Sequence, residues 1–281
     1  MKIILKTLKE YWKFEGFRPL QEEIINHYTS GKDTVVLLPT GGGKSLCYQL
    51  PALLKEGMTL VISPLISLMQ DQVNQMNAIG IKSMFFQSNS QKFPINQQMD
   101  NARFGKFKLI YCSPERLLNG DFISQLKLLP LNGIAVDEAH CISEWGHDFR
   151  PAFKSIKDLK ALFPNLSLIA STASATPIVL EDIKKELNLI KPKVFTTSFE
   201  RKNLCYGTLQ TEDKVGTLIK YFNNNRNPAI IYCRSRVRTE QVTQQLKNAG
   251  LKCDFFHGGL STDIKKEKLD DWISEKNLIM V

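Results

Sequence analysis

The sequence predicts an α/β protein of two units, each built on a parallel sheet with helices on both faces. Three observations predict it. Short apolar runs of strand length alternate with longer amphipathic segments along the whole chain. A glycine-rich turn follows the first of these runs, and the alternation pauses near residues 190–210 before it restarts. The length agrees, since 281 residues suggest about two domains of about 150 residues each.

The elements follow in chain order. Val35–Leu38 reads as a strand, and the segment KSLCYQLPALLK after the glycine-rich turn reads as a helix. Leu60–Ile62 is the next strand. The stretch after it carries Leu65, Leu68, Met69, Val73 and Met76 at helical spacing. Lys108–Tyr111, Ile134–Val136 and Leu166–Ala170 read as strands, and Pro177–Leu187 as a helix. Pro192, the polar run Thr196-Thr197-Ser198 and the charged run Glu200-Arg201-Lys202 predict a linker. Strands at Ala229–Tyr232, Cys253–Phe256 and Leu278–Val281 then alternate with helices at Val237–Ala249 and Thr262–Ile273. The expected domains are 1–203 and 204–281. The second ends on four apolar residues, where chain termini are usually polar, so it is expected to be unfinished, with an open sheet edge, poor solubility or disorder.

Composition narrows the function classes. Hydrophobic residues make up 43% and charged residues 23%, which excludes disordered and collagen-like chains. No apolar run approaches the ~20 residues of a spanning helix. Lys6 and Lys9 interrupt the apolar start, so neither a membrane protein nor a signal peptide is expected. Cys47, Cys112, Cys141, Cys205, Cys233 and Cys253 are scattered without C-x-x-C or zinc-type spacing. Free thiols, no zinc and a cytoplasmic enzyme are the expectation. Lys plus Arg number 37 against 28 Asp plus Glu, a net charge of +9, which suits a polyanionic partner.

Two motifs carry chemistry. Pro39-Thr40-Gly41-Gly42-Gly43-Lys44-Ser45 lies between a strand and a helix. Glycines there let backbone N–H groups close on phosphates, and the following helix points its N-terminus at the anion. Lys44 is placed to reach the β- and γ-phosphates and Ser45 to ligate Mg²⁺. Leu38 stands where the common pattern has its first glycine, but the T-G-x-G-K-S core is intact. Asp137-Glu138-Ala139-His140 follows the apolar strand Ile134–Val136. A carboxylate at the carboxyl end of a parallel strand sits where such proteins bind ligands. Asp137 is placed to hold the Mg²⁺ shell, and Glu138 to orient or deprotonate an attacking water. An aspartate there is also a good helix N-cap, but the phosphate loop upstream favours the metal reading. Together they predict a P-loop ATPase that uses ATP and Mg²⁺.

The continuation, Cys141-Ile142-Ser143-Glu144-Trp145-Gly146-His147-Asp148-Phe149-Arg150-Pro151, resembles the RecQ family of DNA helicases in superfamily two. The resemblance implies a RecA-like first domain followed by the start of a second. It also implies that the loop carrying Trp145, His147, Phe149 and Arg150, next to His140, couples DNA contact to ATP hydrolysis. An aromatic ring there is a stacking platform of ~1–3 kcal/mol per base. Phe17-Arg18-Pro19-x-Gln21 resembles the family's adenine-recognition motif, with Gln21 reading the adenine edge, Arg18 beside it and Phe14 available to stack. Leu20 and Trp12-Lys13-Phe14 depart from the family pattern. Val61–Gln72 resembles motif Ia and Ser113–Leu117 motif Ib, implying backbone contacts from Ser63 and Arg116. Thr172-Ala173-Ser174-Ala175-Thr176-Pro177 resembles motif III, so Thr172 and Ser174 would link the metal region to the DNA side. Ile230–Arg236 and Phe256–Ser261 resemble motif IV and its successor, with Ser235, Arg236 and His257 as candidate backbone contacts. His257 reads equally well as a capped turn residue, and Arg234 stands where asparagine is frequent.

The resemblance covers nearly all 281 residues and then breaks off before motifs V and VI. It implies translocation 3′ to 5′ on single-stranded or partly duplex DNA, in repair and recombination. It also implies that the arginine finger, worth ~10³–10⁵ in rate in well-studied NTPases, lies beyond this chain. The expectation is weakened Mg·ATP binding, poor hydrolysis and no strand separation. Two other readings remain open. One is a DEAD/DEAH-type RNA helicase, and the other a nucleotide-dependent nucleic-acid-binding fragment without turnover.

Overall fold

A computed structural model describes residues 2–86, 94–146, 148–198, 200 and 203–281. The chain divides into two compact units, residues 1–201 and 202–281.

In the first unit α1 (Lys2–Thr7), a π-helical turn (Leu8–Trp12) and α2 (Gln21–Thr29) precede the sheet. Then come β1 (Thr34–Leu37), α3 (Leu46–Leu54), β2 (Met58–Ile62), α4 (Ile66–Ala78), β3 (Ser83–Phe85), α5 (Ile95–Phe104), β4 (Leu109–Cys112) and α6 (Gly120–Leu126). β5 (Leu131–Val136), α7 (Ile156–Leu162), β6 (Leu168–Thr172), α8 (Pro177–Glu186) and β7 (Lys193–Thr196) complete it. Seven strands form one sheet in the order β3-β4-β2-β5-β6-β1-β7, with every pairing parallel. β1, β2, β4 and β6 are buried along their whole length, as strands covered on both faces must be. One core, around Leu60, Ile62, Ile134 and Phe153, fills one side of the sheet. A second, around Tyr48, Val61, Met69 and Ile169, fills the other. The expected α/β class with a parallel sheet is therefore present.

The amino ends of the strands are tied by a buried ion pair. Lys160 on α7 donates to Asp33 Oδ1 at 3.0 Å and to the Leu166 carbonyl at 2.6 Å. Asp33 also accepts the N–H groups of Leu168 and Ile190, each at 2.8 Å. Both side chains are about 5% exposed, so the hydrogen bonds compensate charges that water cannot reach.

Two expectations need correction. The segment 190–210 is not wholly linker, because β7 lies within it and pairs with β1. It escaped notice because an edge strand needs only one buried face. Of Lys-Val-Phe-Thr, only Phe195 is buried. The final strand also leaves no open edge of its own. The second unit holds α9 (Lys214–Asn224), β8 (Ala229–Ile230), α10 (Arg236–Asn248), β9 (Cys253–Asp254), α11 (Thr262–Ile273) and β10 (Ile279–Met280). Its sheet runs β8-β10-β9, so the apolar end is the central strand. Ile279 and Val281 pack there against Phe222, Val242 and Leu246. The strands are two residues long where four were expected, and α9 was not foreseen.

Candidate nucleotide and nucleic-acid site

The phosphate loop sits at the carboxyl end of β1. Gly41 and Gly43 have φ of +76° and +77°, a region where a side chain clashes with its own backbone. The loop closes through the Gly42 N–H, which donates to the Pro39 carbonyl at 2.9 Å. A Cβ on Gly42 would meet that carbonyl oxygen at 2.8 Å. Thr40 is exposed on the loop, and Ser45 occupies the N-cap position of α3. Lys44 Nζ donates to the Leu38 carbonyl at 3.3 Å, so its ammonium lies across the mouth of the loop.

The candidate adenine motif folds onto this loop. Gln21 is buried, accepts the Arg18 N–H at 2.8 Å and donates to the Gly43 carbonyl at 3.2 Å. The Arg18 guanidinium donates to the Gly41 carbonyl. Both side chains thus brace the glycines. Phe14 is exposed beside them in sequence, and no contact places its ring on the site.

Asp137 follows β5 and is only 4% exposed. Its Oδ1 accepts from the Ser171 hydroxyl at 3.0 Å and the Glu138 N–H at 3.1 Å, and its Oδ2 from the Gln72 amide at 3.3 Å. Burial, then the Glu138 charge, raises the Asp137 pKa against these hydrogen bonds. Glu138 has φ +49° and ψ +46°, a strained conformation of the kind that clusters at functional sites. Its carboxyl is held below the usual range by His140 first, against burial, and also by Lys44. Glu138 Oε2 lies 3.3 Å from His140 Nδ1. The Cys141 thiol and then Glu138 raise the His140 pKa to about 10. A buried carboxylate and a serine hydroxyl are hard oxygen donors, which suit a magnesium ion that keeps waters and substrate phosphates as its other ligands. The site residues fit that ion on this donor chemistry.

His140 Nδ1 also lies 2.8 Å from Thr172 Oγ1, which exchanges bonds of 3.2 Å with the Ser174 backbone. Beyond His140 the chain forms a 3₁₀ turn (Ala139–Ile142) and enters the aromatic loop. Trp145 is 76% exposed. The Phe149 ring lies under Lys154, 5.3 Å from its Nζ. Arg150 points away from the loop, donates to the Pro64 carbonyl at 2.8 Å and lies 3.9 Å from Glu115. It therefore bridges the segments after β2 and β4. On the same segments, just after β2 and in the 3₁₀ turn after β4, the Ser63 hydroxyl and Arg116 Nε are buried and have no partner among the described residues. His147 lies outside the described residues.

In the second unit, Ser235 caps α10 by accepting the Arg238 N–H at 3.2 Å, and Arg236 is exposed beside it. His257 accepts the Gly259 N–H at Nδ1 (3.2 Å) and turns Nε2 to Glu240 at 2.9 Å. Its ring is thus engaged as a turn cap.

Sequence reasoning missed Gln72, Tyr48 and Ser171. The Tyr48 hydroxyl donates to Gln72 Oε1 at 2.8 Å, which orients the amide nitrogen toward Asp137. Gln72 was detectable as a polar residue on the apolar stripe between Met69 and Met76. Ser171 had no such signal, being one more residue of a short strand.

The sequence profile of the DEAD/DEAH box helicases matches residues 18–183. The ATP-dependent DNA helicase RecQ of Bacillus subtilis is 39% identical over 277 residues, 98% of this chain and 47% of that protein. ATP-dependent DNA helicase Q1 of Rattus norvegicus is 40% identical over 289 residues, 98% of this chain and 46% of that protein. The chain spans about half the length of these relatives. Among solved structures, Mycobacterium smegmatis helicase Lhr bound to ssDNA and AMP-PNP matches with a TM-score of 0.68 at 18% identity, over 98% of this chain and 41% of that one. S. cerevisiae Dbp5 bound to RNA and ADP BeF3 matches with 0.71 at 16% identity, over 99% of this chain and 72% of that one. At such identities the likeness speaks for the fold. No helix among the described residues is long and apolar enough to cross a membrane. With the profile spanning more than half of it, and RecQ-type helicases similar over nearly its whole length, the chain belongs to the DEAD/DEAH box helicase family.

Proposed function

We propose that this chain is the ATP-binding portion of a RecQ-type DNA helicase, which couples ATP hydrolysis to 3′-to-5′ movement on single-stranded DNA and to duplex unwinding in repair or recombination. The observation that carries the reading is a continuous polar connection. It runs from Asp137 and Glu138 through His140 to Thr172, and along the chain from His140 to the exposed Trp145. A phosphate site is thereby joined to a solvent-facing aromatic platform.

In this reading the backbone N–H groups of residues 41–45 and Lys44 hold the phosphates. Gln21 and Arg18 fix the loop and face the base side. Ser45 and Asp137 would hold magnesium, which when bound neutralises charge on the transferring phosphoryl. Glu138, kept ionised by His140, orients the attacking water and accepts its proton. Trp145 stacks a base, while Ser63, Arg116 and the exposed Arg236 meet phosphates. The Ser63 hydroxyl and Arg116 Nε, buried without a partner among the described residues, support such contacts, since donors of this kind are rarely left unsatisfied.

The test is ATP hydrolysis with increasing oligothymidylate, beside Lys44→Ala and Trp145→Ala. A slow turnover whose stimulation is lost in Trp145→Ala with the slow basal rate retained, and which is abolished in Lys44→Ala, is the expected pattern; nucleotide binding with no turnover at all would favour the fragment reading. Stimulation by RNA that outcompetes DNA would instead favour the RNA helicase reading.

A further inference from the structure

We propose that Asp182 is a positioning residue that latches the aromatic loop to α8, so that Trp145 moves with the segment that senses the nucleotide. The inference rests on the reading of Trp145 as a nucleic-acid contact. It adds a residue outside every motif considered above.

The Ser143 hydroxyl, 1% exposed, donates to Asp182 Oδ2 at 2.5 Å. The Ser143 hydroxyl oxygen in turn accepts the Trp145 N–H at 3.2 Å, and the Ser143 carbonyl accepts the Gly146 N–H at 3.0 Å. Ser143 therefore organises the turn that presents Trp145, and Asp182 fixes Ser143. Gly146 fits only because it lacks a Cβ, which would lie 2.5 Å from the His140 carbonyl oxygen.

Asp182 belongs to α8, whose N-cap is Thr176, the threonine that ends the Thr172–Thr176 segment. The loop is thus tied to the β6–α8 segment at two points three residues apart. His140 meets Thr172 at 2.8 Å, and Ser143 meets Asp182 at 2.5 Å. Two bonds to one continuous segment leave the intervening turn little freedom to move alone. A cleft of about 310 Å³ runs beside them, lined by His140, Trp145, Ser174 and Val179 among others. With both bonds made, a displacement at Thr172 carries Trp145 along. With only the first, the indole can relax independently.

The test uses the whole chain and the variants Asp182→Ala, Ser143→Ala, their double, Asp182→Asn and Trp145→Ala. Deuterium uptake of the segment 141–150 is measured without nucleotide or DNA. Affinity for a fluorescent oligothymidylate is measured with and without a non-hydrolysable ATP analogue. A hydrogen bond to a charged group corresponds to about 10–100-fold in local opening. Asp182→Ala is expected to speed exchange at the Trp145 and Gly146 amides by about that factor. It should also abolish the nucleotide's effect on DNA affinity while lowering the melting temperature by only about a few degrees. The double variant should be no worse than Ser143→Ala alone. Asp182→Asn, which still accepts the serine hydrogen, should remain close to native, and this holds the test open should the alanine variant fold poorly. Unchanged exchange in Asp182→Ala, or additive effects in the double variant, would overturn the latch. Unchanged DNA affinity in Trp145→Ala would overturn the reading of the loop, while the exchange data still decide the latch.

Discussion

Replacing Gln72 by glutamate sets a second carboxyl against Asp137 in a place water does not reach. The native amide nitrogen is 3.3 Å from Asp137 Oδ2, and its oxygen is occupied by Tyr48. Two charges at that separation repel by about 5 kcal/mol at an effective dielectric of about 20. The variant escapes by taking up a proton. Holding a group of ordinary pKa ~4.3 neutral at pH 7 costs about 3.7 kcal/mol, and the smaller figure sets the loss. At pH 5 the same arithmetic gives about 1 kcal/mol. The introduced carboxyl has a raised pKa in the fold, so its stability is full below pH ~4.3 and falls as pH rises through the folded value. Gln72→Leu instead orphans a buried phenol and a carboxylate oxygen, at about 1–3 kcal/mol each, with little dependence on pH over this range. The assay is urea denaturation at pH 5 and pH 7 in a Trp272→Phe background, where Trp12 and Trp145 report the first unit alone. A Gln72→Glu variant within 1 kcal/mol of native at pH 7, or a gap that does not narrow at pH 5, would refute the buried contact.

Other consequences follow from particular contacts. Lys160→Met leaves Asp33 buried without its cation and should destabilise the first unit by about 3–5 kcal/mol in urea denaturation. Asp33→Ala should do more, because it also strands the Leu168 and Ile190 N–H groups. Gly43→Ala forces a side chain into left-handed backbone, at about 1–2 kcal/mol, and drives its Cβ into the Gln21 amide. Binding of a fluorescent ATP analogue should weaken more than the melting temperature falls. Burial alone would raise the Asp254 pKa, but Lys268 at 2.6 Å, the Phe255 N–H and Lys247 outweigh it and hold the carboxyl below its ordinary range. Its contribution is present above pH ~4 and is lost as pH falls through the lower folded value. Trp272 fluorescence should show the second unit weakening in acid, and Asp254→Asn should flatten that dependence.

What could be read from the sequence was whatever depends on spacing along the chain. The phosphate loop needs adjacent glycines before a helix, and Asp137 needs an apolar strand before it, so both were visible with their elements. The central strands were visible because burial on both faces makes most of their residues apolar. β7 was not, since an edge strand tucks in one residue, Phe195, and leaves Lys193 and Thr196 exposed. Apart from the neighbouring Glu138 N–H, the partners of Asp137 come from α4 and β6, and those of Asp33 from α7, the entry to β6 and the segment just before β7. Each is remote in sequence and is brought near only by the strand order. Gln21 and Arg18 were expected on the nucleotide side, but their grip on the Gly43 and Gly41 carbonyls depends on how α2 meets the loop.

In the proposed function, residues 39–45 with Asp137 and Glu138 form a Mg·ATP site. Titration of a fluorescent ATP analogue into the chain, with and without Mg²⁺ and beside Lys44→Ala, tests it most directly. Binding is expected to be saturable and magnesium-dependent, displaced by ATP in preference to GTP and weakened at least about tenfold by Lys44→Ala, in line with loss of a charged hydrogen bond. Binding that is unaffected by Lys44→Ala, or that ignores magnesium, would contradict it.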